Sequence, residues 1–214
     1  MTDKLKTLAK ENWGFLLIIL LMFASRSSLA DWYHVPSGSM LPTIEVGDRI
    51  FVNKLAYRLE VPFTDVPIMQ TGSPERGDIV VFNSIAANER LVKRVIGMPG
   101  DQISMTNNQL IINGHVIQYQ NEQESHFYSE DLLGLQHQVQ FVPVPSPKHS
   151  FDTIVVPADH YFVMGDNRNN SRDSRYYGFV SAAELQGKAI GVIASFDSKN
   201  YYLPKENRNF IKLI

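Results

Sequence analysis

Cysteine is absent from this chain of 214 residues. Its absence excludes disulfides, thiolate metal sites and a cysteine nucleophile. An excess of one charge sign is also absent, because 20 Lys and Arg residues against 22 Asp and Glu residues leave a net charge of only −2. That balance excludes the strongly basic surface of a bulk nucleic-acid binder. None of the six histidines stands at helical metal-ligand spacing from another, so we expect no zinc site.

A long apolar run is also missing, since the clearest one covers only the twelve residues from Trp13 to Ala24. About 20 residues are needed to cross a bilayer core. Continuing the segment to Ala30 supplies that length and places Arg26 near the far interface, where its long side chain can reach the headgroups. We therefore predict a transmembrane anchor that ends at residue 30.

The charges that flank this segment predict its orientation. Lys4, Lys6 and Lys10 precede it, which favours a cytoplasmic N-terminus and an extracytoplasmic body from residue 31 to residue 214. A cleavable secretion signal is the alternative, because a basic start, a short apolar core and the sequence Ser28-Leu29-Ala30 also describe one. Arg26, between the core and that site, argues against cleavage.

The body shows many strand signals and few helical ones. Short β-branched and aromatic runs lie between Gly, Pro, Asn and Asp residues, which is typical of antiparallel sheets. Asn113-Gly114 predicts a tight hairpin turn, and Ser181 with Glu184 predicts a capping box on one helical turn. The predicted strands are 49–53, 78–82, 91–96, 102–105, 109–112, 115–118, 138–142, 153–156, 161–164 and 188–194. The fold class is therefore mainly β behind a single N-terminal transmembrane helix, with the segment from Tyr119 to Ser150 weakest for strands and Pro143–Pro147 a stiff loop.

Ser39 is the candidate nucleophile. It lies in Pro36-Ser37-Gly38-Ser39-Met40-Leu41-Pro42-Thr43, where a glycine allows close approach of a substrate and the prolines stiffen the flanks. An ordinary polar turn is the competing interpretation. A serine needs a base to act as a nucleophile, and no Gly-x-Ser-x-Gly elbow or convincing histidine motif is present. A lysine base is then the simplest hypothesis.

Lys93 is the candidate base. In a strand it shares a face with Leu91 and Val95, and burial among apolar side chains lowers the pKa of a lysine. The competing interpretation is an exposed lysine that protects an edge strand from aggregation, and the neighbouring Arg94 is compatible with it. Periodicity alone leaves both interpretations open.

Five sequence blocks, in order behind the apolar segment, resemble the bacterial type I signal peptidases (leader peptidases), which are serine proteases with a Ser-Lys dyad. The blocks are Pro36–Thr43, Gly47–Lys54, Arg76–Phe82, Val92–Gly97 with Pro99-Gly100-Asp101, and Gly165–Arg175. Any one of them would be weak, but together they span most of the chain. The resemblance also implies an inserted β subdomain at about residues 101–157.

The resemblance assigns roles to individual residues. Ser39 would be the nucleophile and Lys93 the general base, while the Ser37 hydroxyl and the Ser39 amide would form the oxyanion hole. Ser171 would hydrogen-bond and orient the Lys93 amine. Asp173 and Arg175 would support that loop as a charge pair. Asn169 departs from the family pattern, in which aspartate is usual.

The resemblance also implies the substrate and its binding site. The family cleaves exported preproteins that carry small residues at positions −1 and −3 before the cut (Ala-X-Ala), and an extended substrate would pair with strand edges. The pocket positions are apolar here: Val35, Pro36, Met40, Ile44, Leu91 and Val92. Candidates for contact with the phospholipid surface are Trp32, Tyr33, Leu59, Val61, Pro62 and Phe63.

Two rival functions stay open from the sequence. One is a Ser-Lys peptidase dedicated to a single pilus or conjugation substrate, and the other is a non-catalytic anchored β-domain that binds exported chains. Calcium or magnesium could bind Asp166 and Asp173 by ligand type, but the neighbouring arginines argue against it. We expect no metal or organic cofactor, no nucleic-acid partner and a monomer in the cytoplasmic (inner) membrane.

Overall fold

The computed structural model describes residues 10–64, 66–122, 126–143, 147–197 and 200–213. The predicted N-terminal lysines Lys4 and Lys6, and residues 144–146 of the predicted stiff loop, lie outside these ranges. Helix α1 covers Trp13–Ser28 and ends at Leu29, whose amide donates to the carbonyl of Ser25. Across the described ranges, no helix has both the length and the apolar character that a membrane span requires.

Antiparallel strands make up nearly all of the regular secondary structure described after α1. In chain order they are β1 Ala30–His34, β2 Asp48–Asn53, β3 Arg58–Glu60, β4 Pro67–Gln70, β5 Ile79–Ser84, β6 Glu89–Gly97, β7 Gln102–Thr106, β8 Gln109–Ile112, β9 His115–Val116, β10 Gln118–Asn121, β11 Phe127–Asp131, β12 Gln136–Gln140, β13 Phe151–Val155, β14 His160–Met164, β15 Val180–Ser181, β16 Leu185–Asp197, β17 Leu203–Pro204 and β18 Ile211–Lys212. A short helix, α2, covers Ser174–Tyr177, and 3₁₀ turns cover Lys54–Ala56, Arg168–Asn170 and Ala182–Glu184.

The largest sheet in the described ranges has nine strands, in the order β1-β2-β16-β5-β6-β14-β15, with β17 and β18 paired to β16. Its two faces are both covered. Ile79 and Val81 of β5 pack with β2 and the chain before it, while Val80 and Phe82 pack with β6 and β14 on the other face. This alternation is what a strand with two buried faces requires.

Strands β7 to β13 form two smaller sheets beside the large one. One has the order β13-β7-β8-β9 and the other has the order β10-β11-β12. They share a core with Phe162 and Met164 of β14. A further two-stranded sheet joins β3 to β4. The position of the two smaller sheets corresponds to the predicted insertion, whose independence as a subdomain stays a prediction.

Most predicted strands lie within two or three residues of an observed one. Asn113 and Gly114 both adopt positive φ, 51° and 80°, as the predicted hairpin turn requires. Ser181 and Glu184 form the predicted capping box on the 3₁₀ turn. The segment from Tyr119 to Ser150, the weakest for strands in the sequence, contains the predicted strand 138–142 as β12 and one strand that was not predicted, β11. The polar residues of the two strands pair within a sheet that has one solvated face. Ala30, placed in the predicted anchor, begins β1 and pairs with Asn53.

Candidate active site

The loop that carries Ser39 is held against the sheet at several points. Val35 and Met40 are buried in the core on either side of it, and Ser39 itself remains partly exposed. The amide of Asn167 donates to the carbonyl of Ser39 at 3.1 Å, and the Asn167 side chain donates to the carbonyl of Gly38 at 3.0 Å. The Gly165–Arg175 block therefore fixes the backbone on which the candidate nucleophile stands.

Lys93 reaches Ser39 directly, although 54 residues separate them in the chain. The Lys93 Nζ lies 2.9 Å from the Ser39 Oγ and donates a second hydrogen bond to the carbonyl of Val92, also at 2.9 Å. Lys93 is 2 % exposed, and the side chains of Leu91 and Val95 on its face pack into one apolar cluster. The surface-lysine interpretation is therefore wrong, and the structure assembles the predicted pair.

Burial changes the chemistry of the Lys93 amine. Desolvation lowers its pKa from 10.5 to about 8, against the nearby carboxylates of Asp173, Glu89 and Asp166, which favour the charged form. A lysine with a pKa of about 8 is neutral in a useful fraction of molecules near neutral pH. The neutral amine can accept the proton of the serine hydroxyl that it contacts.

Ser37 and Ser171 differ in how they relate to the pair. The Ser37 hydroxyl is exposed and lies 3.5 Å from the Ser39 Oγ, so it is within reach of the same reaction centre. The predicted hydrogen bond from Ser171 to the Lys93 amine is absent. The Ser171 Oγ is buried without a hydrogen-bond partner, and the two hydrogen bonds of the amine go to Ser39 and Val92. Ser171 instead packs beside Gly165.

The predicted Asp173–Arg175 charge pair is present and buried. Arg175 donates from Nε and Nη2 to the two carboxylate oxygens of Asp173, each at 2.8 Å. The same carboxylate accepts from the amide of Gly165 at 3.0 Å. A side chain at Gly165 would overlap the Ser171 hydroxyl and the carbonyl of Ser39. The pair therefore holds a glycine that lets two loops meet at the nucleophile.

A second buried pair, Arg94–Asp166, was missed as part of the site. Arg94 and Asp166 are both fully buried, and two hydrogen bonds of 2.9 and 2.8 Å join them. Asp166 also accepts a hydrogen bond from the hydroxyl of Thr43 at 2.6 Å. The pair is therefore bonded to the C-terminal end of the loop that carries Ser39. The positive charge of Arg94 lowers the pKa of the Asp166 carboxyl despite its burial. One sequence feature could have indicated that Arg94 is buried: it lies between the apolar residues Val92 and Ile96 on one face of a strand.

The two carboxylates that could bind a cation by ligand type, those of Asp166 and Asp173, each form an ion pair with an arginine. Asp166 is paired with Arg94 and Asp173 with Arg175. In the described part of the chain, no group of three or more His, Asp or Glu side chains is arranged to hold a metal ion. Arginine side chains therefore neutralise both carboxylates in the structure.

An open cleft of about 530 Å³ leads to the pair. Five of the six predicted pocket residues line it: Val35, Pro36, Met40, Leu91 and Val92. The sixth, Ile44, is fully buried in the core behind it. Tyr33, Glu89, Arg90, Asn170 and Arg172 also line the cleft, and of these the sequence suggested only Tyr33, in another role. The charged residues Glu89, Arg90 and Arg172 lie at the start of β6 or in a loop, where the alternation of apolar and polar residues does not indicate which side chains face a cleft.

The cleft lies between strands that offer free edges. Strand β1 has one neighbour, β2, and strand β14 pairs with β6 only from Arg94 onward. Among the residues that the structure describes, the backbone of residues 89–93 therefore pairs with β5 and with no second strand. An extended peptide placed there would complete hydrogen bonds along its length.

The residues expected at a lipid surface differ in exposure: Trp32 and residues 61–63 are exposed, whereas Tyr33 packs against the core. Trp32 is 46 % exposed, with the guanidinium of Arg26 4.2 Å from its ring centre. Arg26 also pairs with Asp31 at 2.7 Å, so it contacts the body. Tyr33 is half-buried against the core. The residues from Val61 to Phe63 are exposed in the loop between β3 and β4.

Comparison with known proteins gives matches over most of the chain. The family model described as signal peptidase, peptidase S26, matches residues 9–194. The signal peptidase I of Pseudomonas fluorescens is 33 % identical over 231 residues, covering 96 % of this chain and 80 % of that protein. That of Pseudomonas aeruginosa is 34 % identical over 226 residues with the same coverage. A crystal structure of a signal peptidase I from Enterococcus faecalis V583 is 30 % identical and covers 54 % of this chain and 96 % of its own, with a TM-score of 0.36.

Proposed function

This chain belongs to the signal peptidase family, peptidase S26, and on that premise we propose that Ser39 and Lys93 are its catalytic dyad. The protein is a serine endopeptidase that removes signal peptides from preproteins. The observation that carries the residue assignment is the 2.9 Å contact between the Lys93 amine and the Ser39 hydroxyl at the floor of an open cleft. The family relationship favours this function over a non-catalytic binding domain.

The mechanism follows from the charges of the pair. The neutral Lys93 amine takes the proton of the Ser39 hydroxyl as the oxygen attacks the carbonyl carbon before the cut, forming a tetrahedral oxyanion. The ammonium then gives that proton to the leaving amine, and the C–N bond breaks to leave an ester on Ser39. The same amine takes a proton from water as the water oxygen attacks the ester, and the ammonium returns that proton to the Ser39 oxygen as the ester C–O bond breaks. The serine hydroxyl is restored and the signal peptide leaves with a free carboxyl group.

The oxyanion needs donors beside Ser39. The exposed Ser37 hydroxyl, 3.5 Å from the Ser39 Oγ, and the Ser39 amide are the groups that we assign to this role. Each such donor contributes about 3 kcal/mol in the transition state. Asp173, Arg175 and Ser171 act through position, by holding the Gly165 turn against the serine loop.

The cleft supports selection of small side chains at −1 and −3. Val35, Met40 and Val92 are apolar, and all three belong to or pack against one core cluster. An extended substrate along residues 89–93 would direct alternate side chains toward this wall. Apolar side chains of this kind suit contact with a small apolar residue such as alanine.

The direct test is cleavage of a preprotein with an Ala-X-Ala site by the detergent-solubilised protein. We expect a single cut after the second alanine, read by the N-terminal sequence of the product. The matched substrate replaces the −1 alanine with leucine, and we expect no cut there because the proposed specificity is for small residues at −1. Failure on several preproteins, with the enzyme folded, would favour a dedicated pilus or conjugation peptidase.

The pH dependence of cleavage is a second test. Only the neutral Lys93 amine can accept a proton, so kcat/KM is expected to rise with pH through an apparent pKa near 8 and then level off. Glu89→Gln removes an anion that favours the charged amine, so its profile should shift to lower pH. A wild-type profile that is flat between pH 6 and 9 would remove Lys93 as the base.

We also propose that α1 anchors the protein as a single-pass monomer with its N-terminus in the cytoplasm and its body outside. The family is membrane-associated in bacteria. Most large apolar side chains of α1 are exposed, with Trp13 and Ile18 about two-thirds exposed. Protease digestion of spheroplasts should remove the body and spare an N-terminal tag. Loss of the tag would reverse the orientation.

The same segment is expected to stay attached to the body. The carbonyl of Leu29 accepts from the amides of Lys54 and Leu55, and the amide of Phe63 donates to the Ser27 hydroxyl at 2.8 Å. Ser28 is 4 % exposed. These contacts support retention of Ser28-Leu29-Ala30, because a peptidase requires an accessible extended segment.

A further inference from the structure

A buried ion pair joins the small sheet of β10, β11 and β12 to the turn that follows β14. Glu130, on β11, is fully buried, and Arg168, in the 3₁₀ turn, is 2 % exposed. Arg168 donates from Nη1 to Glu130 Oε1 at 2.9 Å and from Nη2 to Glu130 Oε2. Burial raises the pKa of the Glu130 carboxyl, but the charge of Arg168 outweighs it and holds that pKa well below its usual range. Glu130 is therefore ionised near neutral pH.

The other two strands of this sheet each add a side chain to the pair. Tyr119, on β10, donates from its hydroxyl to Glu130 Oε1 at 2.9 Å and accepts from Arg168 Nη1 at 3.1 Å. His137, on β12, is 8 % exposed, and its Nε2 lies 3.0 Å from Glu130 Oε2 and 3.9 Å from Asp166 Oδ1. We call Tyr119, Glu130, His137 and Arg168 the Glu130 cluster.

The turn that this cluster holds is also the turn that fixes the serine loop. Asn167 directly precedes Arg168, and its amide donates to the carbonyl of Ser39 at 3.1 Å. The path from Glu130 to Ser39 therefore consists of one ion pair, one peptide bond and one hydrogen bond.

We propose that Glu130 is a positioning residue for cleavage, an inference that rests on the proposed dyad. By holding Arg168 it fixes Asn167, and Asn167 keeps Ser39 within reach of the Lys93 amine. The described lining of the cleft includes none of the Glu130 cluster, so the cluster acts on the reaction geometry and not on the substrate. A displacement of about 1 Å at a reacting group can lower a rate by up to about 10²-fold.

The experiment is single-turnover cleavage of a preprotein with enzyme in excess. At saturating enzyme the rate constant does not depend on the fraction of enzyme that is folded, so it separates positioning from stability. For Glu130→Gln, which keeps the size of the side chain and removes its charge, we expect this rate constant to fall about tenfold. The half-saturating concentration, counted as folded enzyme, should stay at the wild-type value because the cleft is unchanged.

Tyr119→Phe is the milder variant, since it removes one hydroxyl from the cluster and changes no charge. We expect its rate constant to fall about threefold, again at an unchanged half-saturating concentration. Tyr128→Phe is the matched control. Tyr128 lies on β11 and packs edge-on against Phe141 at 5.3 Å, as Tyr119 does at 5.5 Å. Its loss of a hydroxyl should leave the rate constant at the wild-type value.

Glu60→Gln controls for the loss of a buried ion pair elsewhere in the fold. Glu60 is 3 % exposed and accepts from Arg58 Nε at 2.6 Å, within the separate sheet of β3 and β4. This variant should lower the Tm and keep the wild-type rate constant. A wild-type rate constant in Glu130→Gln would overturn the inference, and if that variant does not fold, a wild-type rate constant in Tyr119→Phe would do so. Absence of any cut by wild type would instead overturn the proposed function.

Discussion

Replacing Lys93 by methionine is expected to lower kcat/KM for preprotein cleavage by about 10³-fold or more. The methionine side chain nearly matches the length of lysine and suits the apolar surroundings of Leu91 and Val95. It cannot accept a proton, so the Ser39 hydroxyl loses the group that lies 2.9 Å from it. The measurement is single-turnover cleavage with variant and wild type at equal concentrations.

The same variant should keep or gain stability, which separates chemistry from folding. The amine binds its proton more tightly in the unfolded chain, at pKa 10.5, than in the folded one, at about 8. Its burial therefore destabilises the fold at pH 7, and this penalty fades as the pH rises from about 8 toward 10.5. Lys93→Met should unfold at or above the wild-type Tm at pH 7.

Lys212→Met is the matched control, because Lys212 is an exposed lysine in β18. It should change neither rate nor Tm. If Lys93→Met kept a tenth or more of the wild-type rate, another group would have to be the base. If its Tm fell well below that of wild type, the loss of rate could not be assigned to the proton transfer.

The sequence predicted the two residues of the dyad, Ser39 and Lys93, but not the hydrogen bonds that surround the lysine amine. The alternation Leu91-Lys93-Val95 indicated burial, and the order of five blocks supplied the partner serine. The bond from Lys93 to the carbonyl of Val92, and the absence of one to Ser171, depend on side-chain paths that no periodicity encodes.

The strands likewise include some that the sequence predicted and some that it did not. Strands with strong β-branched patterns, such as β5 and β6, were predicted from the sequence, because burial on both faces leaves a continuous apolar run. Strand β11 was not, because it is polar and its pairing depends on the neighbouring strands β10 and β12. Strand β12 was predicted approximately, as residues 138–142. Contacts between distant residues, such as that of Lys93 with Ser39, depend on the order of strands in the sheet, which local patterns do not reveal.

Breaking the Arg94–Asp166 pair should give the largest loss of stability. Both side chains are fully buried, so Arg94→Met leaves the Asp166 carboxylate without its main counter-charge in the interior. Removing one partner of such a pair costs about 3 to 5 kcal/mol of unfolding free energy. Denaturant unfolding at pH 7, with wild type and variant side by side, measures that loss.

The Lys205–Glu45 pair is the matched control, because its side chains are 25 % and 35 % exposed. Lys205→Met should cost at most about 1 kcal/mol. The double variant Arg94→Met with Asp166→Leu should recover part of the loss, since it leaves no buried charge unpaired. A loss for Arg94→Met no greater than that for Lys205→Met would show that the buried pair does not hold the serine loop. A real loss should appear in cleavage as well, because Asp166 also binds Thr43 in that loop.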